Sequence, residues 1–221
     1  MTTRKFSVAL ILMFLLSSSG LFASPTQRLP IKPGAVSTDT TSYKQLNAFF
    51  SEIAQADLAS FSVRPSDSEM IGFALVHILI KQPELLQRQS GVSGIARVQP
   101  KQVEQVAEAF FGQRIRQNRT VSSQFRYVNG SYLVSTGEWE EMLFAQVTRL
   151  ARSERGRFTA DIAIYSAPAS FGGDVNAPPA TWNNQPSQPR LEKRMRATIQ
   201  QVHDGDKPHY ILVAYERLLP G

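Results

Sequence analysis

Between His203 and His209 the chain reads His-Asp-Gly-Asp-Lys-Pro-His, which brings two imidazoles and two carboxylates to one tight turn. His203, Asp204, Asp206 and His209 are residue types that ligate zinc or another divalent ion. The same letters also spell ordinary turn chemistry, Asp-Gly followed by Lys-Pro. A shared ion requires that His203 and His209 face each other across the strand pair joined by the turn. A second cluster, Glu138-Trp139-Glu140-Glu141, sets three carboxylates around an indole just after Gly137. Trp139 among carboxylates suits a glycan binder or hydrolase that stacks a sugar ring. The alternative is a solvated acidic turn with the indole folded onto the domain. Trp182 lies in a Pro- and Asn-rich stretch and is expected to be a second, partly exposed indole. Two loop tryptophans speak more for binding than for catalysis.

The cations are mostly arginines, and they cluster. Arg114, Arg116 and Arg119 form one group, Arg149, Arg152, Arg155 and Arg157 a second, and Arg190, Lys193, Arg194 and Arg196 a third. Guanidinium groups suit bidentate contacts to phosphate and carboxylate. Arg190, Arg194 and Arg196 alternate along one expected strand, hence on one face, and are candidate contacts for an anionic polymer or acidic lipid. The competing reading is a solvated strand face. Nucleic acid is not expected, because no recognition motif accompanies the charge.

No catalytic residue is assigned. The chain lacks a nucleophile elbow, a phosphate-binding Gly-rich loop, a dinucleotide fingerprint and a zinc-protease helix. It has no Cys, so thiolate chemistry, sulfur-ligated metals and disulfides are excluded. Nothing in it calls for a cofactor. If the protein is an enzyme, His77, Glu138 or Asp161 must supply acid–base chemistry. His77 lies in an apolar run, where a core or edge histidine is the default.

The first 23 residues read as an address. Arg4 and Lys5 precede the apolar run Phe6–Leu16, and Leu21-Phe22-Ala23 ends on a small residue before Ser24. This is the form of a cleaved signal peptide, too short to remain as a membrane span. The absence of Cys near the cleavage point excludes a lipoprotein. Cleavage leaves 198 residues (221 minus 23) with a net charge of +4, the total of +6 less Arg4 and Lys5. That length suits one domain with its own core, exported to a periplasm or beyond, with no transmembrane segment after cleavage.

Ser24–Thr41 is rich in Pro, Ser and Thr and reads as a flexible lead-in to a single domain over 42–221. Tyr43, Leu46, Phe50 and Ile53 recur at helical spacing. Ser66-Asp67-Ser68-Glu69 has the form of a capping box before an apolar helix over Met70–Ile80. Pro100 opens a third helix with the stripe Val103, Val106, Ala107, Phe110, Phe111, closed by Gly112. Ile95–Val98 is a short strand. From Val121 the period becomes two. Phe125–Val128 and Ser131–Val134 flank Asn129-Gly130 as a hairpin. Met142–Leu150, Arg157–Tyr165, Leu191–Gln200 and Tyr210–Leu218 read as further strands, with a long loop over 166–189.

This order predicts an α+β domain, three N-terminal helices packed on one curved antiparallel sheet of about five to six strands. The element order resembles the nuclear transport factor 2-like fold, which implies a cone shape. Phe111-Gly112, Tyr127-Val128-Asn129-Gly130-Ser131-Tyr132 and Phe158–Tyr165 are similar to a pattern in secreted bacterial envelope domains. Some of those are lipid-anchored, and this chain departs from them by lacking Cys. The resemblance implies an envelope protein and carries over no catalytic residue. The leading expectation is a non-catalytic envelope domain binding a protein partner or an anionic polymer. The alternatives are a small cone-fold enzyme with its pocket between the third helix and the sheet, and a regulator of a wall hydrolase that inserts the 166–189 loop.

Overall fold

A computed structural model of the chain describes residues 40–88, 94–137, 141–153, 156–183, 187–204 and 207–219. The expected signal peptide and nearly all of the expected lead-in lie outside these residues. No helix among the described residues is long and apolar enough to cross a membrane.

Among the described residues, three α-helices form where the sequence supplies starts and stops. Helix α1 spans Thr40–Gln55 and buries Leu46, Phe50 and Ile53. Helix α2, Asp67–Lys81, begins at the expected capping box. The Ser66 hydroxyl accepts from the Glu69 N–H at 3.2 Å, and Glu69 Oε2 accepts from the Ser66 N–H at 2.6 Å. Its buried residues, including Met70, Ile71, Ala74, Leu75 and Ile78, run round most of its circumference, as an all-apolar helix requires. Helix α3, Pro100–Phe111, has Pro100 in its first turn and ends at Gly112 in the left-handed conformation, φ 61°. That left-handed φ favours glycine, and a Cβ there would stand 2.9 Å from the terminal Ile211 Cδ1, which would have to shift.

Among the described residues, eight strands make two antiparallel sheets. β1 (Gln87–Arg88), β2 (Ile95–Val98), β3 (Phe125–Val128) and β4 (Ser131–Ser135) form the first, in the order β1-β2-β4-β3. β5 (Glu141–Arg152), β6 (Arg157–Pro168), β7 (Arg190–Asp204) and β8 (Lys207–Arg217) form the second as a simple meander. The hairpin turn at Asn129-Gly130 has positive φ at both residues, 49° and 76°.

The α+β class with three helices therefore stands, and the single sheet does not. The short strand β2 pairs with β4, Ile95 opposite Ser135 and Val98 opposite Tyr132, which closes a separate sheet across α3. Nor do all three helices precede the sheets, since α3 lies between β2 and β3. Both sheets still feed one core. Ala96, Val98, Tyr132 and Val134 from the first meet the helices, as do Ala145, Ile162, Met195 and Leu212 from the second.

Both edge strands of the second sheet are covered in part. Along β5, α1 supplies side-chain acceptors: Asn47 Oδ1 takes the Val147 N–H at 2.8 Å, and the Ser51 hydroxyl takes that of Ala145 at 2.9 Å. At β8, Phe61 exchanges both backbone hydrogen bonds with Tyr215, at 2.7 and 2.8 Å. On the first sheet, the Tyr127 N–H at the β3 edge donates to Thr120 Oγ1 at 3.0 Å. Blocked edges of this kind deny an incoming strand its template.

Candidate functional site: an aromatic groove between two helices and a strand

The sites expected from the sequence do not come together. In the β7–β8 pair, His203 stands opposite Pro208 and Val202 opposite His209. Directly opposed residues share a face and successive residues alternate, so the two imidazoles belong to opposite faces of the ribbon. The facing arrangement that a shared ion needs is absent. Asp206 lies outside the described residues, and among those described no three His, Asp or Glu side chains group as metal ligands. Glu138 and Trp139 also lie outside the described residues.

Trp182 is internal, a correction to the expected exposed indole. It is 3 % exposed, and its Nε1 donates to the Asp174 carbonyl at 3.1 Å. Its ring meets Phe144, Tyr165 and Phe171 edge-on, with centroids 5.2–6.2 Å apart. These aromatics form a satellite core on the outer face of the second sheet. Much of the 166–189 segment is therefore a cover folded back onto that face. Gln146 ties it down by donating to the carbonyls of Val175 and Ala177 at 2.7 and 2.8 Å. Pro179–Trp182 forms a short 3₁₀ turn, and β6 runs on to Pro168.

Of the third arginine group, only Arg194 and Arg196 share a face. A bulge in β7 pairs Lys193 with Ile164 but Leu191 with Tyr165. The extra residue shifts the alternation, so Arg190, opposite Ser166, falls on the other side of the strand. Two of the three are already paired. Arg190 Nη2 lies 2.8 Å from Glu192 Oε1, and Arg196 grips Asp161 with two nitrogens at 2.7 and 3.2 Å. Arg149, Asp161, Arg196 and Glu216 stand in register across all four strands as a row of alternating charge. The Ser166 hydroxyl and then the Arg190 guanidinium hold the Glu192 carboxyl below the usual carboxylate range. The Asp161 hydrogen bond holds Arg196 above its ordinary value.

His77 and Asp161 cannot act together. Asp161 belongs to the outer face of the second sheet, whereas His77 sits among the helices. The imidazole lies against Phe73 and Phe110. Its Nδ1 is 3.2 Å from Glu52 Oε2, within ion-pair distance, yet the atom makes no hydrogen bond.

The concave feature that sequence reading did not assemble residue by residue is an open groove of about 920 Å³. Helix α1 contributes Gln45 and Phe49, α3 contributes Gln105, Glu108, Ala109 and Phe110, and β8 contributes Pro208, His209 and Tyr210. The rings of Phe49 and Phe110 stack at 5.5 Å with planes 6° apart, and Tyr210 tilts against Phe49 at 6.3 Å. Phe110 was part of the expected core stripe. It is only partly buried: one side packs on Phe73 and His77, and it also lines the groove. The alternation of β8 and the helical stripe of α3 were legible signals, but nothing local says that the two meet. The ionisable lining residues are Glu108, His209 and Tyr210, and Glu108 is in ion-pair reach of Arg114 at 3.4 Å. Burial raises the Tyr210 hydroxyl above its ordinary value. Such walls can hold an apolar or aromatic group, with amides to orient it. Comparison of the chain with protein-family profiles, curated proteins and solved structures finds no match, so the groove is read from its own residues.

Proposed function

We propose that this protein is an exported, non-catalytic domain of the cell envelope that binds a partner protein through the groove between α1, α3 and β8. The observation that carries the reading is the stacked Phe49–Phe110 wall completed by Tyr210. Aromatic rings in a concavity are the usual anchors of protein recognition, because they offer area at small entropic cost. The partial cover on both edges of the second sheet supports a groove over strand addition as the mode of capture. Export rests on the leader-like residues 1–23. The small-enzyme reading places its pocket in this same region, where Glu108, His209 and Tyr210 are the ionisable groups and Glu108 is already in ion-pair reach of Arg114. The regulator reading rested on an exposed 166–189 loop, whose Trp182 is turned inward.

A second reading, an anionic polymer on the outer sheet face, is favoured by Arg194, which is exposed and has no ion pair among the described residues. Capture from envelope extract separates the two. Protein recovered from the native host, with its N-terminus at or near Ser24 by mass spectrometry, should retain a defined protein. Ala109→Arg, at an exposed groove position, should abolish that retention, and Arg194→Gln should not. Loss with Arg194→Gln alone, together with a steep decline in added salt, would transfer the function to the outer face. An intact Met1 in the membrane fraction would overturn export.

A further inference from the structure

Three arginines converge at the foot of α2, in a pocket that shares no lining residue with the groove. Arg64 precedes the helix, and Arg116 and Arg119 lie in the turn that follows α3. With Phe61 and Pro65 as apolar neighbours they line an open pocket of about 500 Å³. Hydrogen bonds from both segments fix this meeting. Arg64 Nη2 donates to the Arg114 carbonyl at 2.9 Å, and the Gln117 N–H donates to Asp67 Oδ2 at 3.0 Å. The residues flanking Arg119 are tied as well. Asn118 Oδ1 accepts from the buried Tyr132 hydroxyl at 2.6 Å, and Thr120 Oγ1 accepts from the Tyr127 N–H. The backbone carrying the two loop arginines is thus ordered before any ligand arrives, which lowers the entropic cost of binding.

The pocket also holds two carboxylates, and both are turned to internal uses. Asp67 accepts from Gln117 and faces Arg64 at 3.5 Å. Glu69 closes the capping box on the Ser66 N–H. Arg116, by contrast, has no ion pair or hydrogen bond among the described residues, and the side chain of Arg119 meets only the neutral Gln117 amide, at 2.7 Å. The outer sheet face differs on this point, since Arg196 there is already matched by an acid.

We infer that the Arg64–Arg116–Arg119 pocket binds a phosphoryl group. Two guanidinium forks without an acid partner, with Arg64 lining the same pocket, offer paired donors to an anion from more than one side. A phosphoryl group presents three non-bridging oxygens and accepts paired N–H donors from more than one side. The group can be that of a soluble phosphate monoester or of a lipid whose headgroup ends in a phosphomonoester, because the arginines read only the phosphoryl end.

The test uses protein expressed from the complete coding sequence and purified in the form the host leaves it. Inorganic phosphate, titrated at constant ionic strength, should saturably shift the backbone amide resonances of Arg116, Gln117 and Arg119, and chloride should not. In R116Q/R119Q the saturable shifts should fall at least tenfold in affinity. Both side chains are exposed, so the melting temperature of that variant should stay within a few degrees. The control R149Q/R194Q, on the outer sheet face, should retain the shifts. Vesicles containing phosphatidic acid, whose headgroup is a phosphomonoester, against vesicles of phosphatidylcholine alone then identify the source. Vesicle binding that R116Q/R119Q abolishes points to a headgroup, and phosphate binding without vesicle binding points to a soluble ester. Shifts that chloride reproduces, or that survive in R116Q/R119Q, would overturn the site.

Discussion

Phe110 and Phe111 are adjacent in sequence and meet different surroundings. Phe111 is 2 % exposed and packs edge-on against Phe73 at 5.1 Å and Phe61 at 6.4 Å. Phe110 shares its contacts between the core and the groove. Phe111→Ala should therefore cost ~3–5 kcal/mol, the range for a buried ring, and Phe110→Ala about half as much. A urea melt of the two variants checks the order, and a larger loss for Phe110 would mean that the groove is filled from within. A stripe of helical spacing names both rings without saying which one the neighbouring strand covers. Trp182 makes the same point: its Pro- and Asn-rich surroundings signal a loop, and only Phe144 and Tyr165 on distant strands make that loop a lid. The arginines add a third case. Composition shows their charge, but the Asp161 pairing of Arg196 depends on which strand lies beside which. Arg196→Gln strips Asp161 of its two-nitrogen partner, with an expected cost under ~1 kcal/mol at this half-exposed site.

At the scale of elements, helices and the hairpin were legible because their signals are local. The capping box at Ser66, the proline at the start of α3, the glycine at its end and Asn129-Gly130 each act within a few residues. Strand partners are not local, and this is why one sheet was expected where two exist. The alternation of Ile95–Val98 says strand, and nothing in those four residues says that Ser135 completes it. Edge protection is equally hidden, since it depends on α1 lying along β5. Asn47 shows how much one side chain contributes there. It is 8 % exposed, accepts from the Val147 N–H and donates to Asn176 Oδ1 at 3.0 Å. Asn47→Ala leaves a buried N–H unpaired and detaches the cover from α1. The expected loss is ~1–3 kcal/mol, from the desolvation of the orphaned group. Because the same change opens the β5 edge, the variant should also form dimers or larger species on size-exclusion chromatography. Unchanged stability with a monomeric elution profile would show that the helix, rather than its amide, guards the strand.

The described residues are held without disulfides, by a main core that both sheets and all three helices share. Two tyrosines complete that core, and each is almost fully buried: Tyr132 at 0 % and Tyr215 at 1 % exposure. Burial, which disfavours the phenolate, places both hydroxyls well above their ordinary titration range. Tyr210, beside the groove, is raised for the same reason. The sign follows from proton counting. Below about pH 10 both folded and unfolded tyrosines are protonated, so stability is complete and independent of these groups. Above it the unfolded chain loses its protons while the folded chain keeps them, so stability falls as pH rises through the folded titration points. Each pH unit past that onset removes up to about 1.4 kcal/mol per buried tyrosine. Denaturant melts at pH 8, 10 and 11 should therefore show a flat stability between the first two and a steep decline at the last. Tyr215→Phe keeps the ring and removes the proton, and should flatten the alkaline decline while leaving the pH 8 value within about 1 kcal/mol. Tyr132→Phe should also flatten it, but with a loss at pH 8 from the missing hydrogen bond to Asn118. A decline that neither variant reduces would place the alkaline weakness outside the shared core.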